Sequence, residues 1–234
     1  MYDRPIAARR SILLAGAGAL LAGCATPASV PAPAGAGTVP TVRLGDRWRY
    51  AESDLYRKAR TTELTMEVAE VAPQLRVRVT DASGMPRQDE IYASPWRVIQ
   101  EPAYGDPIVF RVPTPVLPAR LDTGGSERVV NEFRKLSGDR WCFWSEWIDA
   151  RGWEKIRVPA GEFVALRVLR RIAFEDPDPF RLHSARDETL WYAPQVNRWV
   201  RREWTGRYRW AGMWREPPLQ ENSVAWELIE YRPA

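Results

Sequence analysis

Val164-Ala165-Leu166-Arg167-Val168-Leu169-Arg170-Arg171-Ile172-Ala173-Phe174 is the stretch that decides the fold. Val164, Leu166, Val168, Ile172 and Phe174 fall on alternate positions, with Ala165, Arg167, Leu169, Arg171 and Ala173 between them. A period of two puts one set on each face of an extended strand, whereas a helix needs spacings of three and four. The same alternation recurs at Leu64, Met66 and Val68, at Leu75, Val77 and Val79, and at Val224, Trp226 and Leu228. Asp81-Ala82-Ser83-Gly84, Pro159-Ala160-Gly161 and Asp176-Pro177-Asp178-Pro179 read as turns between strands. One face of each strand is apolar and the other mostly charged, the pattern of an antiparallel sheet with one wet face. Many short strands with Gly/Pro turns predict an all-β fold: an antiparallel barrel or half-barrel, with a β-sandwich as the alternative.

The strands also read as a duplication. Gly45-Asp46-Arg47-Trp48 recurs as Gly138-Asp139-Arg140-Trp141, and Leu75-Arg76-Val77 as Leu166-Arg167-Val168. Asp89-Glu90-Ile91-Tyr92-Ala93-Ser94-Pro95 recurs loosely as Asp187-Glu188-Thr189-Leu190-Trp191-Tyr192-Ala193-Pro194. The shared order predicts two β units, approximately 41–133 and 134–234, within one domain spanning 41–234. Two units are too few for a solenoid and suit two half-sheets that complete each other's core.

Upstream of the domain the chain changes character. Arg9 and Arg10 precede an apolar run from Ile12 to Leu21, which is of secretory length and too short to span a bilayer. Leu21-Ala22-Gly23-Cys24 closes it and resembles the bacterial lipobox at all four positions. The resemblance implies a signal peptide over 1–23, with Cys24 lipidated by a diacylglycerol and an N-acyl chain such as palmitate. Several acyl chains on one residue anchor a protein stably where one does not. Ala25 stands where an aspartate commonly signals inner-membrane retention, which favours the outer membrane, with the protein facing the periplasm. Ala8-Arg9-Arg10-Ser11-Ile12-Leu13 partly resembles the twin-arginine export motif, so the export route stays open between the two pathways. Residues 24–40 hold no charge and are mostly Ala, Pro, Gly, Thr, Ser and Val, the composition of a flexible tether.

Composition excludes several function classes. Removing residues 1–23 takes away Arg4, Arg9, Arg10 and Asp3, lowering the net charge from +4 to +2. That excess does not argue for nucleic-acid binding. Once Cys24 is lipidated, Cys142 has no disulfide partner, and its aromatic neighbours Trp141, Phe143 and Trp144 predict a buried structural thiol. The single histidine, His183, among loop carboxylates does not make a metal site, so no metal and no cofactor is expected. The chain offers no nucleophile–base pair and no phosphate loop, which argues against an enzyme.

Tryptophan is the unusual component, at twelve residues. Between 141 and 148 aromatics fall on both alternating faces, so one face is expected to line a groove or a partner surface. The candidate ligand or partner surface is Trp141, Trp144, Trp147, Trp191, Tyr192, Trp199 and Trp204. Arg198, Arg201, Arg202, Arg207 and Arg209 interleave with the last of these and read as an ordinary solvated strand whose stems cover apolar surface.

Val158-Pro159-Ala160-Gly161-Glu162-Phe163, Trp191-Tyr192-Ala193-Pro194, Arg198-Trp199-Val200 and Glu227-Leu228 with Tyr231 resemble a group of bacterial envelope β proteins gathered only as a domain of unknown function. The resemblance implies a β-rich envelope lipoprotein and brings no activity. The combined expectation is a non-catalytic, membrane-anchored β domain that binds an apolar or amphipathic ligand. A structural or assembly partner in an envelope complex is the alternative, and a hydrolase is the least favoured reading.

Overall fold

The computed structural model describes residues 29–102, 104–121, 125–213 and 215–234, the side chains of 60 and 61 excepted. Cys24 and the signal segment 1–23 lie outside the described residues. Twelve strands follow one another: β1 Arg47–Asp54, β2 Ala59–Glu70, β3 Leu75–Asp81, β4 Glu90–Ser94, β5 Arg97–Glu101, β6 Ile108–Pro115, β7 Ser126–Lys135, β8 Cys142–Val158, β9 Gly161–Phe174, β10 Arg181–Ala193, β11 Arg198–Trp210 and β12 Leu219–Arg232. Each pairs antiparallel with its neighbours in sequence, and β1 closes on β12, with Arg47 opposite Arg232 and Asp54 opposite Val224. The expected barrel is therefore present, and it is closed.

The deciding stretch is β9. Val168, Ile172 and Phe174 point inward with Leu166, while Arg167, Leu169, Arg171 and Ala173 between them face out. Arg167 and Arg171 stand opposite Trp191 and Asp187 on β10. The outer wall carries ladders of ions. Arg49 reaches Glu63 on β2 at 3.5 Å and Glu230 on β12 at 3.3 Å, and Arg201 reaches Glu227 at 3.1 Å. A membrane-spanning barrel shows an apolar outer band and a polar lumen. Here the polarity is reversed, so this barrel wall is built for water and its interior is the core. The repeated landmarks fall at the starts of β1 and β8, in β3 and β9, and in β4 and β10, so the second set is one strand closer together than the first.

The two barrel ends differ. At one, the β8–β9 hairpin bends at Gly152, which has φ 121°, and crosses the opening until Ala160 N donates to Leu228 O on β12 at 2.9 Å. This closed end also holds residues 29–45. Part of the expected tether over 24–40 lies along this end. Val30 N donates to Trp153 O at 2.8 Å, on the edge of β8 that β7 leaves unpaired, and Ala36 is buried. Thr41 N donates to the Asn197 side chain at 3.3 Å. An Ala/Pro-rich segment cannot make a core, but it can lie on one already made and satisfy a free strand edge. The opposite end is the mouth, formed by the β1–β2, β3–β4, β5–β6, β7–β8, β9–β10 and β11–β12 turns.

Candidate functional site

The barrel interior is not purely apolar. Arg170, Arg198 and Arg202 are fully buried there with Glu90, Glu101, Glu146 and Glu188. Six of the seven occupy the inward phase of their strands: Arg170 lies two residues from Val168 and Ile172, Glu146 two from Trp144 and Ile148, and Arg202 two from Val200 and Trp204. Alternation carries those six inside; Glu101, three residues from Val98, is turned inward beyond the register shift between Val98 and Gln100. Arg198 pairs with Glu90 at 2.6 Å and its guanidinium lies 4.2 Å from the Trp199 ring centre and 4.8 Å from that of Trp96. Arg202 bridges Glu101, at 2.6 Å, and Glu188. Arg170 joins Glu188 at 2.5 Å to Glu146 at 2.7 Å.

Three guanidiniums thus face four carboxylates, and one carboxylate is left short of charge. Glu146 is that group. It shares the single Arg170 guanidinium with Glu188, and burial, outweighing Arg170, pushes its pKa up to about 7. Glu188 is held the other way: burial opposes its charge, but Arg202 and Arg170 together bring it below the ordinary carboxylate value. Arg170 stays protonated because Glu146 and Glu188 more than offset its burial. A buried network of this kind is costly to leave half-satisfied.

Tyr104 connects this network to the mouth. It comes from the β5–β6 turn, and its hydroxyl donates to Glu188 at 3.1 Å and accepts from Arg202 at 3.3 Å. Its ring divides two cavities. On one side lies a space of about 250 Å³ floored by Leu64, Met66 and Val79 and walled by Trp204, Val224 and Trp226, with Glu52, Arg87, Gln88 and Asn222 also lining it. Trp226 Nε1 donates to Glu52 at 2.8 Å. Trp204 Nε1 and Asn222 Oδ1 are buried with no hydrogen-bond partner among the described residues, which leaves a donor and an acceptor on residues of one cavity wall. On the other side is a cleft of about 280 Å³ bordered by Asp106, Lys135, Asp176, Arg181, Arg186 and Glu221. Its charges are mostly matched: Lys135 with Asp106 at 2.8 Å, and Arg181 with Glu221 at 2.8 Å.

The predicted aromatic surface does not exist as one patch. Trp144, Tyr192, Trp199 and Trp204 are buried in the barrel. Trp141 is half-buried beneath Arg111 and Arg134, and Trp191 is half-buried with its Nε1 on Glu154 at 2.6 Å. Only Trp147 is well exposed, with Arg128 over its ring. The surplus tryptophans fill the lumen of a wide barrel, which needs more side-chain volume than a sandwich of the same length. Of the predicted set, Trp204 alone lines the cavity. Arg198 and Arg202, expected on a solvated strand, are buried as well. The sequence reading also missed Tyr104, whose position in a short turn carries no periodicity. Cys142 is a buried thiol, as expected. His183 sits in β10 with φ 51° and is exposed. Among the described residues no cluster of metal-ligating side chains occurs.

No protein-family model and no curated protein matches this chain. Solved structures do. A "putative lipoprotein" from Parabacteroides distasonis is 14% identical with a TM-score of 0.52, over 84% of this chain and 99% of that one. A "putative exported protein with YmcC-like fold" from Bacteroides fragilis is 14% identical with a TM-score of 0.50 over the same shares. At these identities the likeness is one of fold: the barrel is a shared architecture.

Proposed function

We propose that this chain is a lipid-anchored protein of the bacterial envelope, facing the periplasm. Its barrel takes the apolar part of a small amphipathic ligand into the mouth cavity without transforming it. The observation that carries the ligand reading is the cavity walled by Trp204 and Trp226. It has an apolar floor, a donor and an acceptor on its lining residues without partners among the described residues, and charged groups at its edge. At about 250 Å³ it lies below the range of about 300–1,000 Å³ for sites that enclose a whole drug-sized molecule. The ligand therefore inserts a ring or a chain end and leaves its polar head at Glu52, Arg87 and Asn222. The anchor rests on Leu21-Ala22-Gly23-Cys24, and Ala25 favours the outer membrane.

The test is native mass spectrometry of the full chain extracted in mild detergent, followed by titration with decanoic acid and an alkyl glycoside. Tryptophan fluorescence should respond to one of them, and Val79→Phe, which fills the cavity floor, should abolish the response. Absence of any co-purifying small molecule, together with identical titrations of wild type and Val79→Phe, would refute ligand binding.

A second reading, docking of an envelope protein at the mouth, is favoured by one observation. Tyr56, Met85, Phe180 and Met213, from four different turns, stand exposed around that opening, and Phe180 stacks on Trp210 with ring centres 5.8 Å apart. Isolated exposed apolar groups are ordinary, but a collar of them at one end is not. A photo-crosslinker at Phe180 should capture one dominant protein in cells; a diffuse ladder would remove this reading.

A further inference from the structure

We infer that the barrel stands on the bilayer that holds its lipid through the closed end, with the cavity mouth kept away from that bilayer. The inference rests on the proposed anchor at Cys24 and asks how long the leash is. Were residues 24–40 all free, they could reach about 50 Å, at about 3.3 Å per residue. The structure ties the chain down earlier, because Val30 is hydrogen-bonded to the β8 edge and Ala36 is buried beyond it. Only the six steps from Cys24 to Val30 remain, and they span at most about 22 Å whatever path they take.

That length is to be set against the barrel. β10 and β11 have 13 residues each. At a rise of about 3.3 Å and a tilt of about 40°, the wall is roughly 33 Å high. The leash leaves from the closed-end side and is shorter than the wall, so the mouth cannot be laid on the anchoring bilayer.

The chemistry of the two ends agrees. The five strand-connecting turns at the closed end, 71–74, 95–96, 116–121 with 125, 159–160 and 194–197, carry one charged residue among the described positions, Arg120. The six turns at the mouth carry twelve. Val39, Leu44 and Val71 are exposed at the closed end, and the cations Arg43 and Lys155 lie on the same side, where Arg157 is paired with Glu162. Exposed apolar groups occur at both ends, so it is the low charge of the closed-end turns, with Arg43 and Lys155 beside them, that fits the surface of a bilayer containing anionic lipid. The cavity then meets its ligand in the aqueous space rather than directly from the anchoring leaflet.

The experiment uses the full lipidated chain, purified from membranes and reconstituted in vesicles of phosphatidylethanolamine and phosphatidylglycerol. A fluorophore is attached at Val71→Cys on the closed end or at Met85→Cys on the mouth, and quenching by brominated lipid is measured. Strong quenching is expected at position 71 and none at 85. Inserting twenty Gly/Ser residues after Ala28 should reduce the quenching at 71 by lengthening the leash. A chain that lacks lipid and does not sediment with vesicles would overturn the anchor together with this orientation. A lipidated, vesicle-bound chain quenched equally at both positions, or at neither, would overturn the orientation alone.

Discussion

Replacing Glu146 by Gln should alter how stability depends on pH. Glu146 Oε2 accepts from Arg170 Nε at 3.1 Å and Arg170 NH2 at 2.7 Å, but the same guanidinium is shared with Glu188. Burial therefore prevails, and the carboxyl sits at about 7 instead of its ordinary 4.5. Between those values the folded chain holds a proton that the unfolded chain has released. Stability from this group is full below pH 4.5 and is lost as pH rises towards and through 7. A separation of about 2.5 pH units corresponds to roughly 3 kcal/mol as an upper figure. Gln carries no such proton. The stability of Glu146→Gln relative to wild type should therefore rise by up to roughly 3 kcal/mol between pH 4.5 and pH 8, whatever constant offset the substitution brings. For a domain of this size that is a relative shift of about 6–12 °C in Tm. Thermal melts followed by circular dichroism at four pH values would read it. Parallel Tm–pH curves for the two proteins, or a difference moving the other way, would refute the assignment of Glu146 as the charge-deficient carboxylate. Glu188 sets the acid limb: its lowered value means that its contribution is lost only as pH falls below the ordinary carboxylate range.

Other substitutions probe the core and the anchor. Trp144 packs edge-on against Phe110 at 5.0 Å and Phe133 at 5.4 Å, so Trp144→Ala should cost about 3–5 kcal/mol in urea denaturation; a loss under 1 kcal/mol would contradict its place in the core. Tyr104→Phe removes the hydroxyl between Glu188 and Arg202 and should cost about 1–3 kcal/mol while keeping the ring that divides the cavities. An unchanged denaturation midpoint would show that the hydroxyl is not part of the network. Cys24→Ser should release a folded barrel from the membrane fraction or leave it unprocessed. Metabolic labelling with a radioactive fatty acid decides this: an unlabelled wild type, or a serine variant that is cleaved and still fractionates with membranes, would overturn the anchor.

Much of the wall could be read directly. Alternation at Leu64–Val68, Leu75–Val79 and Val164–Phe174 identifies strands because a pleated backbone turns every second side chain the same way. The turns at Asp81–Gly84, Pro159–Gly161 and Asp176–Pro179 are where the structure has them, since Gly and Pro act locally. The sequence reading passed over the buried network, although Arg170 falls in the inward phase between Val168 and Ile172.

Three things needed the tertiary structure. Closure of β1 on β12 joins residues far apart in the chain, and no local pattern distinguishes a closed wall from an open one. The placement of the tryptophans depended on it, because a twelve-stranded lumen has room for Trp144, Trp199 and Trp204 that a narrow core lacks. The strap at 29–45 shows the same limit in another form. Its composition rightly says that it cannot fold alone, yet whether it stays free depends on an unpaired edge of β8 more than a hundred residues away. Local propensity determines which segments are strands and which are turns. Which strand edges remain open, which charges share a lumen and where a leash is tied are set by contacts between distant segments.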